Sequence, residues 1–496
     1  MKIGIDFGTS FSLPAASYLD QNIVLLPGGK YGIPSVFYYS DWDGVLIGEE
    51  AERAGQGSEA RNLKREIKLE LNSSFTADGK TFSAKQIVGH ILNFIKENAV
   101  ATAKEKLINE TLEGVVISVP AAFEHNEKAF IKEAAEIPAS QGGPQLKVLG
   151  FIKEPVAAAL SYFKTSLNDK TKVLVYDLGG GTCDIAIVEA NSSLKEKYTV
   201  IDSDMLRLGG KNWDSKLESY IIREVEKQSG KSLRNNPGYM EKIKREAITA
   251  KHAFSEKVAG KYRDRVRARV EIDGRTYQVP ITKEMFDELT LDLFNQTVKL
   301  TKSVLDRNNG GLINKIVCVG GGSNMPQVQE GLQRAFPNKS IQVFEPEKAI
   351  AIGAAIYAQY CDGKDTFLSD IAAFSYGTDC YRDYDKNPND FIVVNLIKKG
   401  DRLPITSKHS FSTVSDGQKR LNLSIIENVN TVNEYDYIKD SAPYIMDLEL
   451  DLPPNTPKGT SVTLYLTLTV DGILEGIGDD GKGHKIFAKK QLLFEG

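Results

Sequence analysis

The sequence predicts an α/β chain: a duplicated, two-lobed domain followed by an antiparallel β-sandwich. Three observations carry this expectation. Two short apolar strands each run into a carboxylate, a glycine turn and a hydroxyl: Asp6-Phe7-Gly8-Thr9, and Asp177-Leu178-Gly179-Gly180-Gly181-Thr182. Up to about residue 360, continuous apolar runs alternate with stretches of helical periodicity. Beyond residue 370 the helical signals vanish, and short β-rich runs are separated by Asp-Gly, Pro-Pro and Gly-Lys turns.

Each element has a local reason. In Gln86–Leu107, the apolar residues Ile87, Val88, Ile91, Leu92 and Ile95 recur at helical spacing, so one helix face is buried. Gly114–Pro120 is a nearly unbroken β-branched run, as in a strand covered on both faces. Glu127–Glu136 returns to helix. Pro155–Phe163 opens with a proline, which a first helical turn accepts because that N–H has no intrahelical partner anyway. In Lys172–Ala190 β-branched residues continue after the glycines, which favours a hairpin over a strand-to-helix turn. Residues 211–255 are charged and helical, 261–280 alternate as strands around Asp273-Gly274, and 283–308 are helical. Lys315–Val319 is another buried strand, ending in Gly320-Gly321-Gly322, and Ala349–Tyr360 is small and apolar enough for a close-packed helix. Phe391–Leu396, Leu421–Ile426, Tyr444–Leu452 and Ser461–Val470 read as strands. The expected organisation is a domain over 1–360, a polar linker over 361–370 and a β domain over 371–496.

Composition removes several function classes. Lys plus Arg is 62 and Asp plus Glu 66, and the net charge of -4 excludes a globally basic nucleic-acid binder. With 41% hydrophobic and 26% charged residues, the chain can bury several cores and is not a disordered one. No window approaches the roughly 18 unbroken apolar residues of a membrane span. The N-terminus reaches Asp6 before any apolar signal core forms, so no secretory leader is expected. Cys183, Cys318, Cys361 and Cys380 form no CxxC pair and no zinc spacing, and read as ordinary thiols of a reducing, cytoplasmic setting.

The paired acidic turns suit a nucleoside triphosphate. Glycine lets backbone N–H groups approach phosphate oxygens with no Cβ in the way, and one turn can aim several N–H groups at one anion. An Asp at each strand end can hold a hydrated Mg²⁺. Thr9, Ser10 and Thr182 can donate to phosphate oxygens, while Gly209-Gly210 and Gly320–Gly322 can complete the walls. No GxxxxGK[ST] occurs, so the chain is not a P-loop enzyme.

These residues resemble the seventy-kilodalton heat-shock chaperone family, within the actin and sugar-kinase superfamily. The stretches that carry the likeness include IGIDFGTSFS (3–12), NLKRE (62–66), ISVPAAF (117–123), GFIKEPVAAALSYF (150–163), VYDLGGGTCDIAI (175–187), LGGKNWD (208–214), VGGGSNMP (319–326) and FEPEKAIAIGAA (344–355). They follow the family's order over 1–360, and the likeness continues more weakly through 365–496. The resemblance implies an actin-like ATPase domain that binds ATP or ADP with Mg²⁺. It implies that Asp6 and Asp177 hold magnesium waters, with Glu154 and Asp184 in the outer shell. Lys64 falls at the family's catalytic lysine, and Arg65 supports that register over Lys68. Gly8, Thr9, Ser10, Phe11, Gly180, Gly181 and Thr182 would contact phosphates, and Gly209 and Gly210 would line the opposite wall. Lys251, Ser255, Gly321, Gly322, Asn324 and Glu347 would surround the nucleoside.

The likeness also marks departures. Asn324 stands where the family has an arginine stacked on the adenine, and Ile248 where a glutamate lies near the ribose. Loss of the guanidinium stack would weaken nucleotide binding by about 1 kcal/mol. Lys128 replaces a coupling arginine and cannot form the same bidentate fork. The chain stops at Gly496 without the family's helical lid, so a lidless member is expected. The implied activity is a slow ATP-dependent chaperone acting on unfolded or extended apolar polypeptide, with J-domain and nucleotide-exchange partners, no nucleic acid and no membrane. The alternative is a nucleotide-dependent regulatory module with little or no turnover.

Overall fold

The structure is a computed structural model. It describes residues 1–491 apart from 20, 28–30, 122, 124, 166–170, 192–196, 259, 309, 362–367, 388–389, 429–434, 437–443 and 470–472. Most of the linker expected over 361–370 therefore lies outside the described residues. The chain divides into two compact units. One comprises Met1–Phe123, Phe130–Tyr198 and Ser203–Asp365, the other Glu124–Ala129, Thr199–Asp202 and Thr366–Gly496.

The first unit is mixed α/β and contains two sheets of one topology. In the first sheet, β1 (Lys2–Asp6), β2 (Phe11–Tyr18), β3 (Gln21–Val24), β4 (Gly114–Val119) and β5 (Val148–Lys153) lie in the order β5-β4-β1-β2-β3. In the second, β6 (Thr171–Leu178), β7 (Cys183–Ala190), β8 (Lys315–Val319) and β9 (Ser340–Val343) lie in the order β9-β8-β6-β7. In both, the leading strand pairs antiparallel with the next strand and parallel with a later one: β1 with β2 and β4, β6 with β7 and β8. The acidic turn that follows β1 and the one that follows β6 thus leave equivalent strand ends. The strands are apolar on both faces because both faces are covered; every residue of β4 is buried.

Helices α1 (Ala84–Glu105), α2 (Glu154–Thr165), α3 (Gly210–Ser229), α4 (Pro237–Ser255), α5 (Lys283–Asp306) and α6 (Ala349–Ala358) follow the expected stretches to within a few residues. Ser83 and Gln86 close a reciprocal capping box at the start of α1. Helix α6 is built from small residues because it lies backbone to backbone against its neighbours. A Cβ on Gly4 would stand 2.1 Å from Ala355 N, and one on Gly353 only 1.7 Å from the Ala157 carbonyl oxygen in α2. The Arg265–Ile272 and Arg275–Thr282 strands form a hairpin around Asp273-Gly274, both at positive φ (49° and 76°), as a two-residue hairpin turn requires.

From residue 371 on, the second unit is β throughout its described residues. Strands β10 (Ser375–Tyr381), β11 (Phe391–Ile397), β12 (Ile405–Ser412), β13 (Ile425–Asn428), β14 (Tyr435–Asp436), β15 (Tyr444–Met446), β16 (Ser461–Leu468), β17 (Ile473–Asp479) and β18 (Lys485–Gln491) make two sheets. Their orders are β14-β11-β10-β13-β15 and β12-β16-β17-β18. Two expected strands are each broken in two. Leu421–Ile426 and Tyr444–Leu452 kink at Leu423-Ser424 and Asp447-Leu448, where the two leucines exchange backbone hydrogen bonds and Ser424 donates to Asp447. Apolar periodicity passes through such a kink, so it does not register in the sequence.

Because only backbone faces Gly353, its neighbours cannot yield by changing rotamer. Gly353→Ala should lower stability by on the order of 3 kcal/mol, the upper end for overpacking. An unchanged denaturation midpoint would show that α6 does not make this contact.

Candidate functional site

The carboxylates at the two equivalent strand ends gather with two more around one lysine. Asp177 is the next-to-last residue of β6 at 1% exposure, Asp184 the second of β7 at 1%, and Glu154 opens α2 at 7%. Asp6, at the end of β1, is partly buried and accepts a hydrogen bond from Ser118 Oγ at 2.9 Å. The cation among them is Lys68, 3% exposed. Its ammonium donates to the Phe7 carbonyl at 2.5 Å and to Glu154 Oε1 at 2.6 Å, with the rings of Phe7 and Phe123 close by.

One ammonium cannot balance four carboxylates, three of them buried. Burial, followed by repulsion from Glu154, raises the carboxyls of Asp6 and Asp184 to about 7. Burial and then the charges of Glu154, Asp184 and Asp6 push Asp177 well above the usual carboxylate range. Asp184 Oδ1 accepts from the Ala121 amide at 2.5 Å, but its Oδ2 and both oxygens of Asp177 are buried with no hydrogen-bond partner. Such orphaned acceptors are rare in native interiors and mark a place where something else donates or ligates. Among the described residues, no three or more His, Cys, Asp or Glu side chains form a direct ion-holding group. Hard oxygen donors set too far apart for direct coordination fit a cation that keeps its water shell, as Mg²⁺ does.

The glycine turns meet beside these acids. Gly8 is obligatory, because a Cβ there would lie 2.0 Å from the Phe11 carbonyl oxygen. The turns after β1 and β6 face each other: a Cβ on Gly180 would stand 2.4 Å from Ser10 Oγ, and one on Gly181 2.8 Å from Thr9 Oγ1. Thr9 and Thr182 are buried, Ser10 is exposed, and Phe11 is 48% exposed. Gly209 and Gly210 close on the second turn, where the Gly210 and Lys211 amides donate to the Gly179 and Gly180 carbonyls, each at 2.9 Å. Lys251 joins this wall through the Gly210 carbonyl at 3.1 Å and Asp214 at 2.7 Å, and Ser255 bonds the Lys251 carbonyl one turn on. Gly320 (φ 77°) and Gly322 lie on Asp177 and Leu178; a Cβ on Gly320 would stand 2.4 Å from Asp177 Oδ1. Gly321 faces open space. Glu347 is half-buried, and burial raises its carboxyl. Among the described residues, no hydrogen bond ties Glu347 or the Asn324 side chain to Lys251 or Ser255.

The structure does not place Lys64 among these carboxylates. Lys64 lies in a short strand (Leu63–Lys64) paired with Phe37–Ser40, and its ammonium rests on Glu70. Four residues on, in a turn of 3-10 helix, Lys68 takes the place among the carboxylates. The neighbours that favoured the other register have different work: Arg65 pairs with Glu52 and with Glu241 at 2.8 Å, and Glu66 with Lys244 at 3.3 Å. Ser118, the Ala121 amide and Gly320 also belong to the site and were not singled out individually. The sign of Lys68 in the sequence is a lone lysine flanked by Ile67 and Leu69.

The fold and site define an α/β protein with a duplicated sheet topology and an acidic, glycine-walled site. A family model described as Hsp70 protein matches residues 60–485, and the chain belongs to the Hsp70 family. It is a chaperone-like, ATP-binding protein of mixed α/β fold; members of the family are ATPases that bind ATP or ADP with Mg²⁺. The match takes in all the candidate residues except those of the first turn, Asp6 to Phe11, which the geometry sets against Gly180 and Gly181. Among the described residues, no helix is long and apolar enough to cross a membrane.

In metal-free protein the raised carboxyls bind protons more tightly folded than unfolded. Their contribution to stability is therefore full below about pH 4 and is lost as pH rises through about 7. A cation must displace those protons, so stabilisation by magnesium–nucleotide, read as a shift in unfolding midpoint, should be larger at about pH 8 than at about pH 6. Asp177→Asn should weaken magnesium–nucleotide binding and flatten this difference. Unchanged affinity in titration would remove Asp177 from the site.

Proposed function

We propose that this chain binds magnesium–ATP in a cleft between two lobes, each built on one sheet of residues 1–360. It hydrolyses the nucleotide slowly and couples this to capture of extended apolar polypeptide by a β-sandwich over 371–496. The observation that supports this best is the set of buried, unpartnered oxygens of Asp177 and Asp184 beside two facing glycine turns. When bound, magnesium would neutralise the phosphates while keeping most of its waters.

The chain's residues divide the work. Asp6 and Asp177 would hold the metal's waters, with Glu154 and Asp184 behind them. Thr9, Ser10, Thr182 and the N–H groups around Phe11, Gly180 and Gly181 would grip phosphate oxygens, with Gly209 and Gly210 opposite. Lys251, Ser255, Gly321, Gly322, Asn324 and Glu347 would surround the nucleoside. Lys68, held by Glu154 and the Phe7 carbonyl, would sit nearest the γ-phosphate and orient the attacking water. That water's oxygen bonds to γ-phosphorus as the bridging β–γ oxygen departs with ADP, and the water's proton leaves to solvent or to a carboxylate. Catalysis of this kind is mostly positioning and charge.

Unfolded polypeptide, J-domain proteins and nucleotide-exchange factors are the partners this reading expects, in the cytoplasm. The second reading, a nucleotide-dependent module that barely turns over, is motivated by Asn324 and Ile248 in the nucleoside wall. Phosphate release separates the two. Lys68→Ala should lose about 100-fold or more, the cost of deleting a transition-state charge partner, and Lys64→Ala less than about threefold. The reverse ranking would restore Lys64. Tight magnesium–ATP binding with no turnover in any of the proteins would favour the module.

A further inference from the structure

The hairpin Arg265–Ile272/Arg275–Thr282 stands apart from the nucleotide chemistry and carries a charge pattern of its own. Between 257 and 275 the chain holds seven Lys or Arg residues against three Asp or Glu, within a protein whose net charge is -4. The hairpin buries one face, formed by Ala268, Val270, Ile272, Tyr277, Val279 and Ile281. The other face presents Arg265, Arg267 and Arg269 at alternate, exposed positions. Alternate residues on a strand are about 7 Å apart. Opposite them stand Thr282, Pro280 and Gln278, none of which is a carboxylate.

Several basic side chains of this unit have a counter-charge: Lys85 pairs with Glu133, Lys216 with Asp292, Lys231 with Asp273, Lys283 with Asp287. Among the described residues, Arg265, Arg267 and Arg269 form no ion pair with a carboxylate. The only acid within the exposed row is Glu271, at its far end. Three arginines in register, held on a stiff ribbon and left unpaired, are a surface built for an external anion.

Both edges of the ribbon are closed. On one, the Arg269 amide donates to Glu246 at 2.7 Å, and Lys242 reaches the Glu271 carbonyl at 3.4 Å. On the other, Pro280 has no N–H, Tyr220 bonds the Pro280 carbonyl at 3.5 Å, and Gln228 the Gln278 carbonyl at 3.4 Å. Strand addition is therefore blocked, and only side chains can read a partner. The face carries no aromatic ring, since Tyr277 points to the buried side, so it lacks the stacking platforms by which single-stranded nucleic acid is held. The geometry points to an acidic segment of another protein as the occupant, its carboxylates spaced about 7 Å apart, as on alternate residues of an extended chain, each forming a two-pronged contact with one arginine.

The test uses the full chain and a fluorescent peptide of alternating Glu and Ser, followed by anisotropy at about 50 mM salt, where screening is still weak. Saturable binding is expected, weakening as salt rises, with no binding of the matching Lys-Ser peptide. Arg267→Glu combined with Arg269→Glu should weaken the Glu-Ser peptide at least tenfold, and the milder Arg267→Gln with Arg269→Gln by a smaller factor. Magnesium–ATP binding and the unfolding midpoint should not move in either, which separates loss of this surface from failure to fold. Absence of peptide binding, or binding indifferent to all these substitutions, would overturn the proposal. Tighter binding of a single-stranded oligonucleotide, lost in the same variants, would overturn it in favour of a nucleic-acid surface.

Discussion

The arrangement depends on a charge imbalance that the protein does not settle by itself. Four carboxylates converge on one buried ammonium, and three of their oxygens, on Asp177 and Asp184, have no partner. Burying a charge without a partner costs several kcal/mol. A fold selected for stability alone would have removed at least one of these acids or brought in a second basic group. Instead the acids stay, with carboxyls raised towards neutrality, and a fixed lysine bridges Glu154 and the Phe7 carbonyl. A dication of the kind proposed above would settle the imbalance.

The fold explains how so much polarity reaches the interior. A strand in a covered sheet has its backbone satisfied by its neighbours, so its body can be wholly apolar and its end is the natural place for a polar side chain. Asp6 and Asp177 occupy such ends in two sheets of the same topology, which is why one acidic turn is matched by another. The glycines then keep cation and anion chemistry apart but adjacent. Gly320 leaves room for the Asp177 carboxylate, whereas Gly180 and Gly181 leave room for Ser10 and Thr9 on the facing turn. Negative phosphates can approach negative carboxylates only with a cation between them, so the two halves of the site are useful only together.

What the sequence made legible follows from this. Strand-end acids and glycine turns are local patterns through which Asp6 and Asp177 were singled out; Glu154 and Asp184 were singled out through the family resemblance. Lys68 was not, because its position depends on where a short strand at Leu63–Lys64 docks and how the following turn of 3-10 helix points. Motif register favoured the Lys64-Arg65 pair, yet Arg65 and Glu66 are engaged in ion pairs with Glu52, Glu241 and Lys244. Tertiary pairing decided which lysine was buried. The kinks at Leu423-Ser424 and Asp447-Leu448 escaped for a related reason: a strand that bends keeps its alternation.

The same distinction between paired and unpaired charge separates structure from recognition elsewhere in the unit. Ion pairs such as Lys283 with Asp287 or Lys216 with Asp292 satisfy their own partners and invite nothing. The exposed arginine row at 265, 267 and 269 and the buried oxygens of Asp177 are opposite cases of one condition, charge or acceptor capacity that the chain leaves unanswered. Inside, that condition is expensive, which is the ground for proposing a tightly held cation there. On the surface, water meets most of the cost, so the arginines can remain ready for a partner that binds and leaves, and their interaction should be correspondingly sensitive to salt.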